Sequence, residues 1–198
     1  MSKIVCNISI SADGFSAGNN QSEERPFGDA DESLLHGWMF GTPEENQAEL
    51  DAMVDAKAFV MGRNMFGPIR GEWSGDWKGW WGPEPPFHAP VFVITHYQRD
   101  PLVVDGGTTF HFVTDGIEAA MEQASAVPGD ANIAIAGGAS TVNQYLAAGL
   151  LDELRLHITP FTLGAGTRVF DGVPPLKLEQ ISSRAATQVT HVTYRVVH

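Results

Sequence analysis

Residues 134–141 read Ala134-Ile135-Ala136-Gly137-Gly138-Ala139-Ser140-Thr141. A short apolar run over Asn132 to Ala136 is a strand, the paired glycines are a turn, and Ser140 to Leu150 has helical spacing, with Val142, Tyr145, Leu146 and Leu150 on one face. A strand that passes through a glycine turn straight into a helix lets backbone approach a ligand closely. It also presents the unpaired N–H groups of the helix start to an anion such as a pyrophosphate. A Gly-Gly turn taken alone is equally a device for tight packing. The G-x-G-x-x-G fingerprint is missing, so a standard dinucleotide-binding Rossmann unit is not supported.

Working outward, Ala58-Phe59-Val60-Met61 is a second continuous apolar run, as expected of a strand covered on both faces, and it breaks at Gly62-Arg63-Asn64-Met65-Phe66. The arginine fork at this junction suits a phosphate monoester. Pro90-Val91-Phe92-Val93-Ile94-Thr95 is a third buried strand; Thr95 and His96 close it with a hydroxyl and an imidazole, and Arg99 follows. Three strand ends around one anion are better evidence than any one of them, since His96 alone reads equally as an exposed loop histidine.

The remaining chain alternates strand and helix. Ile4 to Ser11 has the two-residue period of a strand, and the polar stretch to Asp31 is a loop leading to a short helix across Leu34, Leu35 and Trp38. Thr42-Pro43-Glu44-Glu45 predicts a helix start with Thr42 as cap and Glu45 completing a capping box, the helix running to about Ala56. Gly71 to Pro90 carries Trp73, Trp77, Trp80 and Trp81 among glycines and prolines and is a long loop. Phe110 to Val113 is a strand, Ile117 to Val127 a helix, Leu154, Leu156 and Ile158 alternate in another strand, and Gln188 to Val197 alternates again in a hairpin-like end. This order predicts an α/β fold with a mixed, mostly parallel central sheet flanked by helices, in one domain spanning residues 1–198.

Bulk properties narrow the function. The 24 acidic residues against 12 basic ones give a net charge of −12, which repels a phosphate backbone and argues against nucleic acid. A lone cysteine, Cys6, forms no intrachain disulfide, and neither a secretory leader after Met1 nor a membrane-spanning run is visible, so a cytoplasmic protein is expected. The seven histidines and one cysteine show no metal-ligand spacing, and no metal is expected.

The segments GRNMF at 62–66, VFVITH at 91–96 and AIAGGASTVNQYLAAGLLDELRLHIT at 134–159 resemble, in order and spacing, the three cofactor-binding segments of the dihydrofolate-reductase-like superfamily. Within it, the chain is similar from its first strand to its C-terminus to stand-alone bacterial proteins related to the reductase domain of bifunctional riboflavin-biosynthesis deaminase-reductases. The resemblance implies the three-layer dihydrofolate-reductase-like fold, NADPH as cofactor and a homodimer. It places Arg63 and the Thr95-His96 pair, with Arg99 as a weaker candidate, on the adenosine side and its 2′-phosphate. Gly62, Asn64 and Met65 would follow the pyrophosphate and ribose, Gly137, Gly138, Ala139, Ser140 and Thr141 would cradle the pyrophosphate, and Ala12 would lie near the nicotinamide amide.

The substrate is less legible. By the spacing of true dihydrofolate reductases the pterin-binding carboxylate falls on Asn46, with Glu45 and Glu49 as neighbours. The riboflavin-pathway reductases show Ser-Leu-Asp-Gly-Lys after strand one, where this chain has Ser11-Ala12-Asp13-Gly14-Phe15. Asp13 reads first as a turn former bonded to its own backbone and second as a catalytic or substrate contact. Trp77 and Trp81, with Trp80, either wall a pocket for a flat heterocycle or cover an apolar surface or dimer contact. The deaminase half, with its zinc-binding His and paired Cys, has no counterpart. The leading expectation is an NADPH-dependent reductase of a small pterin-like or pyrimidine-like heterocycle; the alternative is a catalytically silent nucleotide-binding or dimeric scaffold of the same fold, motivated by Asn46 and Phe15.

Overall fold

The computed structural model describes residues 2–68 and 70–198; Met1, where the reading of a missing leader begins, and Ile69 lie outside the described residues. Its strands are β1 (Ile4–Ser11), β2 (Phe15–Ala17), β3 (Ala58–Gly62), β4 (Pro90–Ile94), β5 (Leu102–Val103), β6 (Thr109–Val113), β7 (Ile133–Gly137), β8 (Glu153–Thr159), β9 (Thr167–Arg168), β10 (Lys177–Ala185) and β11 (Thr190–Val197). Its α-helices are α1 (Glu32–Gly41), α2 (Gln47–Val54), α3 (Arg63–Phe66), α4 (Gly116–Ser125) and α5 (Ala139–Ala147).

Nine strands form one sheet in the order β10-β11-β8-β1-β7-β3-β4-β6-β5, and β2 pairs with β9 apart from it. The run from β8 to β6 is parallel throughout, and the antiparallel pairs lie at the two ends. This is the mixed, mostly parallel sheet the strand-helix alternation predicts.

β1 shows why the sheet needs cover on both sides. Cys6, Ile8 and Ile10 pack into a cluster with Ala120, Met121 and Ala124 of α4 and Val142, Tyr145 and Leu146 of α5. The alternate residues Asn7, Ser9 and Ser11 are buried as well. Asn7 Nδ2 donates to Ala52 O of α2 at 3.5 Å, and Ser9 Oγ accepts from Trp38 Nε1 of α1 at 3.2 Å. Sequence alternation here separates two covered faces, one apolar and one polar, rather than core from solvent. On the polar side, farther along the sheet, Phe59, Met61, Val91, Val93 and Phe110 form a second apolar cluster covered by Phe66, Phe87 and the tryptophan loop. A fully buried Phe of this kind contributes roughly 1.5–3 kcal/mol relative to exposure.

The helix start at Thr42 differs from expectation. Pro43–Asn46 is a 3-10 turn, and α2 begins only at Gln47. Thr42 caps nothing with its side chain: its hydroxyl donates to Trp38 O at 3.3 Å. The Glu45 carboxylate accepts from Thr187 N at 3.1 Å, in the turn between β10 and β11, so tertiary contacts override the local capping pattern. The short strands β2, β5 and β9 carry too few residues to show a period and escape the sequence reading.

Candidate functional site

The parallel strands β1, β7, β3 and β4 all end at the same edge of the sheet, and both glycine turns lie there, where open α/β sheets bind ligands. Gly137, at φ +125°, occupies backbone space that disfavours any side chain, and the Gly137–Gly138 peptide is cis. Gly138 caps α5 with no side chain, and a Cβ placed there would meet nothing within 4 Å, so the α5 N-terminus opens onto free space. Thr141 N and Val142 N donate back to Gly138 O at 3.0 and 3.1 Å, closing the first turn. Across from it, a Cβ at Gly62 would collide with Thr141 Oγ1 and stand 3.8 Å from Gly137 O, and one at Gly137 would stand 3.8 Å from Met65 Sδ. The structure thus brings Gly62, Met65, Gly137, Gly138 and Thr141 together, with Ala139 buried behind them and Ser140 exposed at the rim.

Arg63 opens α3 beside this cradle. Its guanidinium stacks 3.9 Å above the Trp73 ring and donates from Nη1 to Gly71 O at 2.5 Å. Among the described residues Nε and Nη2 are buried without partners, and desolvation lowers the Arg63 pKa. Two orphaned guanidinium donors next to a side-chain-free helix N-terminus fit a dianionic, phosphate-bearing ligand. Asn64 reaches two ways, Nδ2 to Gln21 Oε1 at 3.4 Å and Oδ1 to Arg70 Nη1. Thr95 is buried, its N–H on Val113 O at 3.0 Å and its Oγ1 accepting from Tyr97 N at 3.3 Å; His96 beside it is exposed. Arg99 turns inward, donating to Trp77 O at 2.7 Å and lying 5.1 Å from the Trp73 and Phe112 rings.

At the end of β1, Ala12 is exposed and its N–H is held by Phe161 O at 2.8 Å. Asp13 bonds its own turn, as a turn former does, and also a distant loop. Its carboxylate accepts from Ser11 Oγ at 2.5 Å, Leu163 N at 3.0 Å and Gly164 N at 2.8 Å, and these bonds hold its pKa down at about 2. It pins the distant 160s loop to the mouth of the sheet.

The five candidate substrate residues do not converge on one pocket. Trp77 donates to Phe66 O at 2.8 Å and Trp81 stacks on Phe110 with centroids 5.9 Å apart, so both cover the apolar cluster by β3, β4 and β6. Glu45, Asn46 and Glu49 lie at the other end of the sheet, against β10 and β11. Asn46 is wholly buried and fully bonded, donating to Trp38 O and Thr42 O and accepting from Arg184 Nη2 at 3.0 Å, which leaves no edge for a ligand. Glu49 is bridged to Arg184 at 2.7 Å; burial works against its ionisation, but the Arg184 hydrogen bonds outweigh it and hold the carboxyl below its usual range. The sequence reading missed Arg184, His157 and His191 around Asn46. The signal lay in β8, where the Leu154, Leu156, Ile158 alternation puts Arg155 and His157 on the polar face. Among the described residues no group of three His, Cys, Asp or Glu side chains is placed to hold a metal ion, and no helix is long and apolar enough to cross a membrane.

Comparison with known proteins gives the same fold and a family. Solved structures similar to this chain include a putative riboflavin biosynthesis protein from Shewanella sp. PV-4, at 19% identity and TM-score 0.61, covering 99% of both chains. Acinetobacter baumannii RibD matches at 15% identity and TM-score 0.64, with all of this chain spanning 58% of that one. Dihydrofolate reductase from Enterococcus faecalis, complexed with NADP(H) and RAB-propyl, matches at 14% identity and TM-score 0.57, covering 98% of this chain and 96% of that one. No curated protein matches the sequence. The RibD C-terminal domain profile matches residues 2–192. With its glycine cradle at the ends of parallel strands, the chain belongs to the RibD C-terminal domain family and is an oxidoreductase of dihydrofolate-reductase-like fold.

Proposed function

We propose that the protein is an NADPH-dependent reductase of a small, flat heterocycle of the pyrimidine or pterin type. The observation that carries the cofactor half is the pairing of an uncapped α5 N-terminus at Gly138 with the orphaned Arg63 donors. The nicotinamide nucleotide supplies the hydride when bound. The chain's part is to bind and orient. Gly137 and Gly138 leave room for the pyrophosphate, with Gly62 locked on Thr141 alongside it, Ser140 and the first N–H groups of α5 donate to it, and Arg63, Thr95 and His96 take the adenosine end with its 2′-phosphate. Asn64 and Met65 line the ribose path, and Ala12, at the end of β1, stands where it can face the nicotinamide amide.

The family, and the name of a relative such as the pyrimidine reductase-like protein of Corynebacterium diphtheriae, support the heterocyclic substrate class. We further propose that the protein works in the cytoplasm as a homodimer, a second copy covering apolar side chains of α1 such as Leu34, 49% exposed, and Phe40, 76% exposed. Isothermal titration with NADPH and NADH tests the cofactor: NADPH is expected to bind much more tightly, and binding of neither removes the reading. Following NADPH oxidation with dihydrofolate and a panel of quinones and heterocyclic carbonyls then separates a working reductase, which turns over at least one, from a silent nucleotide binder. Sedimentation equilibrium decides between one copy and two.

A further inference from the structure

Beneath α2, a cavity of about 340 Å³ lies against β8, β11 and β10, lined among others by Asn7, Glu49, Arg155, His157, Ile181 and His191. Asn7, Glu153 and Arg155 sit in the first halves of β1 and β8, so the cavity opens away from the strand ends that hold the glycine cradle. Its hydrogen bonding can be followed atom by atom. The Asn46 amide orientation is set because its Nδ2 faces the carbonyls of Trp38 and Thr42, at 3.2 and 2.9 Å, and its Oδ1 faces Arg184. His191 Nε2, 2.9 Å from that oxygen, must therefore donate its proton. Burial keeps both imidazoles neutral by lowering their pKa values, that of His157 to about 3. The His191 proton is on Nε2, so its Nδ1 accepts from His157 Nδ1 at 2.7 Å. Among the described residues His157 Nε2 is left as a bare lone pair, buried and without a partner, and Asn7 Oδ1 is a second orphaned acceptor; both residues line the cavity.

Two orphaned acceptors are costly unless something donates to them, at about 1–3 kcal/mol each. The walls define what else the occupant must be. Among the lining residues Glu49 is paired with Arg184 and Glu153 with Arg155, Lys3 reaching Glu153 from outside the lining, so the lining itself carries no net charge and no ion is called for. Ala48, Ala52 and Val192 supply apolar surface, and the volume is at the lower end of the roughly 300–1,000 Å³ typical of small-molecule sites, enough for a single ring. The rim is irregular in a way that suits a site: β10 and β11 shift register between Gln180 and Ser182, so Ile181 is an unpaired bulge residue at the cavity edge.

We propose that this cavity is a second ligand site, for an uncharged planar ring bearing a primary amide or exocyclic amino group, whose N–H donors bond to His157 Nε2 and Asn7 Oδ1. The proposal stands independently of the NADPH reading. Benzamide is a suitable probe, with methyl benzoate as a match in shape that lacks the donors. In the full-length protein with ¹⁵N-labelled histidine, benzamide is expected to move the His157 Nε2 resonance saturably while methyl benzoate does not. Asn7→Leu removes one acceptor and is expected to weaken benzamide by roughly tenfold or more. Ile181→Trp, at an exposed bulge that does not enter the core, is expected to block the mouth with both histidine tautomers unchanged. An unmoved His157 Nε2 overturns the proposal. So does an equal response to methyl benzoate, or benzamide binding that survives Ile181→Trp. NADPH added to the same sample reports on the Gly137 and Gly138 amides, so failure of either site is seen separately.

Discussion

Gly62 and Thr141 pack so closely that a methyl group on Gly62 would collide with Thr141 Oγ1. This contact ties the turn after β3 to the first turn of α5, and so fixes the distance between the two halves of the glycine cradle.

Gly62→Ala is therefore expected to cost about 1–3 kcal/mol of stability through overpacking. It should also weaken NADPH binding by pushing α5 away. Thr141→Ala in the same chain makes room for the methyl and should restore much of both. Urea denaturation and isothermal titration of the two variants read this directly; a Gly62→Ala protein with unchanged stability would show that the turns are not rigidly coupled.

Arg63 holds two donors near the cradle that have no partner among the described residues. Arg63→Ala is expected to lower NADPH affinity roughly tenfold to a hundredfold, the worth of a charge-assisted hydrogen bond to phosphate, while leaving NADH nearly unchanged. Equal losses for both nucleotides would move Arg63 off the 2′-phosphate.

The histidine pair gives the fold a pH dependence with a definite sign. His157 has its pKa lowered from 6.5 to about 3 in the native protein, chiefly by burial, so between those values the unfolded chain takes up a proton that the native chain refuses. Its contribution is fully present above pH 6.5 and is lost as the pH falls toward 3. Between pH 6.5 and about pH 5 this one residue is expected to remove about 2 kcal/mol. Urea denaturation across this range should show the slope, and His157→Phe should reduce it by its own share, leaving that of His36, whose pKa burial lowers to about 4.

Asp13 anchors Leu163 and Gly164 by their backbone N–H groups. Its pKa is lowered, mainly by Ser11, from 3.8 to about 2, so the clamp is intact at neutral pH and releases only as the pH falls through that range. Asp13→Ala at neutral pH should speed amide exchange at Leu163 and Gly164 and leave exchange in β1 unaltered. Unchanged exchange at those two amides would contradict the clamp.

The parallel core and its glycine turns were legible because their signals are local: a continuous apolar run, a glycine, a helical period. β1 is the clearest case, its bounds at Ile4 and Ser11 readable from alternation alone. The helix cap at Thr42 was misleading because Glu45, which a capping box would turn toward its own helix, is claimed by Thr187, 142 residues away. The same holds for Asn46, whose spacing points to a pterin contact but whose partners Arg184 and His191 come from the C-terminal hairpin. No window of sequence contains both sides of such a network. Trp77 and Trp81 were legible only as far as a choice between lining a pocket and covering apolar surface; the aromatic rings beneath them come from β6 and from the turns after β3 and before β4.

The placement of the five tryptophans gives the protein a double optical readout. Trp38 lies edge to face with His191 and beside His157, under the C-terminal hairpin, while Trp73, Trp77, Trp80 and Trp81 gather near Arg63 and Arg99 at the other end of the sheet. A cation over an indole face changes its emission, and a reduced nicotinamide absorbs where indole emits. Nucleotide binding should therefore quench the loop tryptophans through the adenosine end beside Arg63, and Trp38, whose indole bonds Ser9 three residues before Ala12, through the nicotinamide ring.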